Sequence, residues 1–155
     1  MKPRLIHSIQ KFAKLAGVEE PEILPYFNEA RDYVVGQPWT LSVEEGWVGA
    51  VYPGIIGIFA FRIRPRDANA PEWHWVIVGD LPTAYVATDD ARVPSEALDS
   101  YIGVMTKWAD SILEGRTEDV YPVETEATVT NAKALKSRLT FLDSRVLPRV
   151  RNDEC

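Results

Sequence analysis

Histidine and cysteine, the side chains that most often bind metals or transfer protons near neutral pH, are scarce in this chain. Its 155 residues include two histidines, His7 and His74, and one cysteine, Cys155. A zinc site needs three or four nitrogen, sulfur or carboxylate ligands that converge in space. The sequence therefore predicts no metal site and no cofactor. A single cysteine forms no intrachain disulfide, so the cytoplasm is the simplest expected location.

His74 is the residue whose neighbours best fit acid–base chemistry. It lies between Trp73 and Trp75 in a predicted strand, with Glu72 nearby, and an imidazole close to a carboxylate can act as a general base. A small enzyme or ligand-binding domain is therefore an alternative, with a pocket between the sheet and the long helix formed by His74, Asp80 and the tryptophans. A histidine packed on the second face of the sheet explains the same residue without a catalytic role.

The sequence lacks the motifs of nucleophilic and nucleotide chemistry. No serine occurs in the Gly-x-Ser-x-Gly turn that presents the nucleophile in many hydrolases. Gly54 and Gly57 are followed by Ile58 and Phe59 rather than by the Lys-Ser or Lys-Thr pair of a phosphate-binding loop. These patterns favour a protein that is not an enzyme.

Acidic residues are concentrated in one stretch of the chain. The whole chain has 17 Lys and Arg and 23 Asp and Glu, with a net charge of −6, whereas residues 86–130 alone contain ten acidic and three basic residues. Such a surface repels nucleic acid and anionic membranes but accelerates association with a basic protein. The predicted partner-binding residues are Asp89, Asp90, Asp99, Asp110, Glu114, Glu118 and Asp119. Solubility alone is the simpler explanation of the same charges.

Hydrophobic spacing predicts helices towards both ends of the chain and a sheet in the middle. Apolar residues at intervals of three and four predict helices over 4–16 and from Tyr26 to Gly36. Residues rich in Trp, Val, Ile and Phe predict the strands. These strands cover residues 39–43, 47–51, 55–64, 73–78 and 84–87, with a turn at 44–46 and an edge strand over 120–123.

A long amphipathic helix is predicted after Val93-Pro94, with Ser95 as its N-cap and Gly115 at its end. A final helix is predicted from Thr130 until Pro148, followed by a frayed tail over 149–155.

The order of these elements favours one α+β domain over residues 1–155. We expect a mostly antiparallel central sheet of four or five strands, packed by N-terminal helices, the long helix and a C-terminal helix. The longest apolar stretch, residues 54–61, is far shorter than the roughly 20 residues of a membrane-spanning helix.

Three stretches of the sequence carry a resemblance to bacterial proteins. Residues 72–85 read Glu-Trp-His-Trp-Val-Ile-Val-Gly-Asp-Leu-Pro-Thr-Ala-Tyr, and residues 97–101 and 105–108 read Ala-Leu-Asp-Ser-Tyr and Met-Thr-Lys-Trp. This block resembles a small bacterial domain. In size, acidity and mixed pattern of helix and sheet, the whole chain is similar to bacterial toxin-immunity proteins, including those of contact-dependent growth inhibition systems.

The resemblance to immunity proteins implies a cytoplasmic protein that binds one cognate toxin domain, commonly a nuclease, and covers its active site or substrate channel. A basic nuclease site and an acidic inhibitor are complementary in charge. The expected partner is a basic toxin domain, with no direct contact to nucleic acid or membrane. A homo-oligomer that associates through an exposed strand edge or a tryptophan-rich sheet face is the remaining alternative, and the oligomeric state stays open.

Overall fold

An antiparallel sheet lies at the centre of the computed structural model, which describes residues 7–8, 20–115 and 125–154. The described strands are β1 (His7–Ser8), β2 (Thr40–Tyr52), β3 (Ile56–Pro65), β4 (Trp73–Gly79) and β5 (Ala84–Ala87). The described helices are α1 (Glu20–Val35), α2 (Pro94–Leu113), α3 (Val129–Phe141) and α4 (Leu147–Asp153), with a π-helical segment, Leu142–Val146, between α3 and α4.

The strands lie side by side in chain order, and every neighbouring pair is antiparallel. The predicted α+β fold with a mostly antiparallel sheet of four or five strands is confirmed. Among the described helices, none combines the length and apolar character needed to cross a bilayer.

Helices cover both faces of the sheet, because alternate residues of the central strands point to opposite sides. On one face, Phe59 and Val76 pack in a buried cluster with Ala30 of α1. On the other face, Trp75 and Ile77 pack in a second cluster with residues of α2, α3 and α4. Within β4, Trp73, Trp75 and Ile77 therefore belong to one cluster, and Val76 and Val78 belong to the other.

The turn predicted at residues 44–46 is wrong, because β2 runs unbroken through Gly46. Its pairing with β3 shifts register between Val43 and Glu45, and such irregularities bend a strand without ending it. A Cβ atom at Gly46 would lie 2.6 Å from Cζ of Phe27. Glycine therefore makes room here for an aromatic ring of α1 rather than turning the chain.

The helix predicted over 4–16 is wrong at His7 and Ser8, which form β1 opposite Val48 and Trp47. This short strand adds to the sheet through backbone hydrogen bonds, a contact that helical spacing does not report. The rest of that predicted helix lies outside the described residues, as does the predicted edge strand over 120–123.

The tail predicted over 149–155 is wrong up to Asp153, because the chain continues as α4 with Val150 buried. Proline removes a backbone donor and clashes with the preceding helical turn, so the sequence predicts that the final helix ends at Pro148. The π-helical segment accommodates it: the N–H of Leu147 bonds the carbonyl of Leu142, five residues back. Pro148 then lies in the first turn of α4, where its missing N–H is harmless.

Two predicted helix caps are also wrong, each by two residues, since the N-caps are Val93 and Thr128. Helix α2 begins at Pro94, so Ser95 lies inside its first turn rather than at the N-cap. Helix α3 is capped by Thr128 instead of Thr130, and the Thr128 hydroxyl accepts a hydrogen bond of 3.1 Å from the N–H of Asn131. Proline at the first position and an N-cap threonine are both typical helix starts.

The first turn of α2 is held by the far end of the chain. The N–H and the hydroxyl of Ser95 both donate to the carboxylate of Glu154, each over 2.7 Å. One residue earlier, Asp153 accepts a hydrogen bond of 2.7 Å from the hydroxyl of Tyr52. Burial and this bond raise the pKa of the Tyr52 phenol, which keeps it a donor. We call these contacts of Asp153 and Glu154 the C-terminal clasp.

Candidate functional site

His74 lies in a buried aromatic cluster on the sheet face that α1 covers. It is 5% exposed. Its ring lies 4.7 Å from the ring of Trp39 and 5.8 Å from that of Tyr85, measured between centroids. Tyr33 of α1 extends the cluster, with its ring 6.4 Å from that of Tyr85. Rings this close pack against one another, so Trp39 and Tyr85 enclose His74, and Tyr33 packs against Tyr85.

The environment of His74 makes it a poor base. Burial lowers its pKa from 6.5 to about 4, although the charge of Asp89 opposes the shift. Its Nδ1 atom is buried and has no hydrogen-bond partner in the part of the chain that the structure describes. A general base is most effective with a pKa near the working pH and a partner that orients it. His74 is therefore neutral at pH 7 and packs as an aromatic side chain.

His74 and Asp80, which we expected to line one pocket with the tryptophans, lie far apart in the part of the chain that the structure describes. His74 is the second residue of β4, whereas Asp80 follows its last residue, so the two are separated by roughly 20 Å at 3.3 Å per residue. Helix α2 also covers the other face of the sheet, on which Trp75 donates its Nε1–H to the carbonyl of Ala91 over 2.9 Å. Alternation along β4 thus places His74 on the face of the sheet that α2 does not cover.

Four of the five predicted partner-binding residues that the structure describes are exposed. Asp89 and Asp90 are exposed in the turn after β5, and Asp99 and Glu114 are exposed on or just after α2. Asp110 is half-buried and forms an ion pair of 2.7 Å with Lys136 of α3. The two remaining predicted contacts, Glu118 and Asp119, lie outside the described residues.

Asp99, Asp110 and Glu114 share one side of the helical sequence, since their spacing is close to whole helical turns. The opposite side of α2 is buried in the core. Asp99 and Glu114 are fifteen residues apart, or roughly 22 Å at 1.5 Å per residue. The carboxylates thus form an extended series rather than one compact group. We call Asp89, Asp90, Asp99, Asp110 and Glu114 the acidic row.

A cleft opens on the α3 side of the molecule, between the loop after β4 and α3. Its volume is about 330 Å³. A smaller cleft of about 100 Å³ adjoins it, and both are lined by Asp80, Leu81 and Arg138. The larger cleft is also lined by Pro82, Thr83, Thr125, Asn131, Ala134 and Leu135. We call the two together the Asp80–Arg138 cleft.

An ion pair lies where the two parts of this cleft meet. The Nε and Nη2 atoms of Arg138 each lie 3.2 Å from Oδ2 of Asp80. The Arg138 side chain is 48% exposed and the Asp80 side chain 77% exposed. The cleft therefore presents one positive and one negative group to solvent, beside hydroxyl, amide and aliphatic side chains.

Sequence reasoning missed this cleft, although one local signal points to it. Gly79 has a φ of +144°, and a Cβ atom there would collide with the carbonyl oxygen of Ile55. The backbone at Gly79, just before Asp80, therefore lies very close to the turn between β2 and β3. Glycine allows this approach because it has no side chain. Arg138 comes 58 residues later, and its pairing with Asp80 has no local signal.

Metal binding and known relatives give no further assignment. Within residues 7–8, 20–115 and 125–154, no three His, Cys, Asp or Glu side chains come together as ligands of a metal ion. Comparisons of the chain with protein-family models, with curated proteins and with solved structures give no match.

Proposed function

We propose that this protein is a non-enzymatic inhibitor that binds a basic toxin domain, in the manner of an immunity protein, through the acidic row. The partner class comes from the charge of the surface and from the resemblance to bacterial immunity proteins. A nuclease is the favoured toxin, because a site that accepts phosphates is basic. The proposal places the protein in the cytoplasm, where it would meet an incoming toxin.

The observation that carries the proposal is the exposure of the carboxylates around α2. Helix α2 is anchored by its apolar side, including buried Leu98, Met105 and Trp108. Its other side carries Asp99 and Glu114 towards solvent. A rigid helix that presents charge in this way needs little rearrangement to bind a complementary surface, and preorganisation favours affinity.

The members of the acidic row are not equivalent. Asp110 is already paired with Lys136, so it adds little to the field beyond the protein surface. Glu96, a further acid of α2, accepts a hydrogen bond of 2.8 Å from the N–H of Arg92 and serves the start of the helix. Asp90 and Asp99 are exposed. They are therefore expected to contribute more to partner binding than Asp110.

The burial and the lowered pKa of His74 support a structural rather than a catalytic role for this residue. A buried imidazole with a pKa of about 4 neither carries charge at pH 7 nor competes well for a substrate proton. A binding protein needs no such group, since long-range attraction and shape suffice to block a partner.

The test is the affinity for a basic toxin domain encoded beside the gene of this protein, measured by calorimetry or surface plasmon resonance over a range of NaCl concentrations. We expect Asp90→Lys combined with Asp99→Lys to slow association about tenfold or more at low salt, with a smaller effect at high salt. The matched control is Glu29→Lys, an exposed residue of α1 on the other face of the sheet, which should leave association nearly unchanged.

Two results would count against the proposal. One is the absence of specific binding to the neighbouring toxin domain. The other is a complex whose association rate is equally indifferent to the Asp90/Asp99 double reversal and to Glu29→Lys, because the acidic row would then play no part in recognition.

A further inference from the structure

We infer that the Asp80–Arg138 cleft binds a small zwitterion of the amino-acid class, with the ligand ammonium on Asp80 and the ligand carboxylate on Arg138. This inference concerns a surface outside the acidic row and does not rest on the proposed inhibitor function. Its grounds are the paired charges, the composition of the walls and the hydrogen bonds of the surrounding segments.

The charges of the cleft select a ligand that carries both signs. Asp80 and Arg138 are in contact through a single carboxylate oxygen, Oδ2. A simple anion on Arg138 would be repelled by Asp80, and a simple cation on Asp80 would be repelled by Arg138. A zwitterion replaces the one ion pair by two and leaves neither charge without a partner. Because both side chains are well exposed, the existing pair contributes little to stability and opens easily.

The walls supply what the rest of such a ligand needs. Thr83, Thr125 and Asn131 bring hydroxyl and amide groups, and Leu81 and Leu135 bring aliphatic surface. A volume of about 330 Å³ is at the lower end of the range for small-molecule sites, which combine apolar walls with a few polar groups. The mixture fits a compact ligand with a charged head and a short side chain.

Hydrogen bonds hold two of the described segments beside the cleft. The hydroxyl of Tyr101 donates to the carbonyl of Pro82 over 2.5 Å, which ties the loop after β4 to α2. Asn131 donates from its side chain to the carbonyl of Glu126 over 2.9 Å, which orders the approach to α3. A preformed site loses less conformational freedom on binding than a flexible one.

The π-helical segment borders the smaller part of the cleft, to which Phe141 and Leu142 contribute. Phe141 is 46% exposed, which is high for a large apolar residue. Single π-helical turns are frequent at functional sites because they redirect side chains. The exposed ring thus extends the apolar wall beside Arg138.

The experiment is isothermal titration calorimetry of the full chain with each of the twenty L-amino acids, with acetate and methylammonium as probes that carry one charge only. We expect at least one amino acid to bind in a one-to-one ratio with a dissociation constant between about 10 µM and 1 mM. Acetate and methylammonium should give no saturable binding at about 10 mM. Asp80→Asn and Arg138→Gln should each weaken binding about tenfold or more, because each removes a charged partner.

The matched control is the ion pair of Lys136 with Asp110, which also joins α3 to another element but is not among the residues lining the cleft. Lys136→Gln and Asp110→Asn should leave binding unchanged. Failure of all twenty amino acids to bind at about 10 mM would overturn the inference. So would binding that survives both cleft variants, an equal loss in the control variants, or acetate binding as tightly as the amino acid.

Discussion

The two ends of β4 place polar side chains in opposite surroundings. On the face covered by α1, His74 is 5% exposed and surrounded by aromatic rings. On the side of α3, the side chain of Asp80, the residue that follows β4, is 77% exposed and lines a cleft. An enclosed imidazole thus lies near the start of β4, and an exposed ion pair lies just beyond its end.

The type of a residue is therefore a weaker guide to its function than the surroundings of its side chain. An imidazole is useful near neutral pH because its ordinary pKa is close to 6.5, and burial removes that property from His74. An aspartate paired with an arginine is common on protein surfaces, yet Asp80 and Arg138 gain interest because they lie at a cleft. Four sets of substitutions test this difference between the two ends of β4, and the first has the largest expected effect on stability.

The largest effect is expected where β4 leaves the sheet. Gly79→Ala should destabilise the fold by about 3 kcal/mol, because alanine is strained at a φ of +144° and its Cβ atom meets the carbonyl of Ile55. Gly54→Ala is the matched control. Gly54 has a φ of +80° with no described atom within 4 Å of the added carbon, so it should lose only about 1 kcal/mol. Urea unfolding of both variants measures the difference, and equal losses would show that the close approach at Gly79 is unimportant.

The second prediction concerns pH and the enclosed histidine. The folded pKa of His74 is about 4 against an unfolded value of 6.5, so between these pH values the unfolded chain binds more protons. The contribution of neutral His74 to the free energy of unfolding is therefore complete above about pH 6.5. It is lost as the pH falls towards 4. We expect a loss of about 2 kcal/mol from this group, after allowance for partial solvent screening.

His74→Phe should keep the ring packing and abolish this part of the pH dependence. The free energy of unfolding at pH 7 and pH 4.5 is the measurement. If wild type and variant lose the same stability between these two pH values, His74 is not buried in the way that its aromatic surroundings require.

The third prediction concerns the C-terminal clasp on the side of α2. Glu154→Gln should destabilise the fold by about 1 kcal/mol, because it weakens two hydrogen bonds from Ser95 to a charged acceptor. Asp143→Asn, an exposed change in the π-helical segment, should stay within about 0.5 kcal/mol. A double-mutant cycle with Ser95→Ala checks the contact, since additive losses would mean that the two residues do not interact.

The smallest effect is expected at the open ion pair. Asp80→Asn and Arg138→Gln should each change the free energy of unfolding by less than about 1 kcal/mol, because exposed pairs contribute little. Thermal unfolding provides the measurement. Lys136→Gln, which breaks the ion pair with Asp110, is the control. A loss above about 2 kcal/mol would make the Asp80–Arg138 pair a structural contact and remove the contrast with His74.

Much of the fold could be predicted because its signals are local. The alternation of Trp73, Trp75 and Ile77 with His74 and its neighbours follows directly from the geometry of a strand. The apolar side of α2 repeats at helical intervals, and its burial is confirmed. The turn predicted around Gly46 is wrong because a glycine that admits a ring from another element resembles a turn glycine in sequence.

Less of the candidate site could be predicted, because its contacts join distant parts of the chain. Pro148 locally indicates a helix end, and only the buried Leu147 and Val150 show why the helix continues. The sequence around His74 is compatible with a catalytic role, because Trp39 and Tyr85, the rings that enclose this residue, lie elsewhere in the chain. The function of the acidic row stays a prediction, to be tested by the binding experiments proposed above.

The sequence alone determined the alternation along the strands, the amphipathic character of α2 and the acidity of residues 86–130, because each depends on residues that are close along the chain. The tertiary structure alone decided that His74 is enclosed, that Arg138 meets Asp80 across 58 residues and that Glu154 meets Ser95 across 59. The physical reason is that burial and pairing arise from packing between elements, and local spacing carries no information on which distant surfaces will meet.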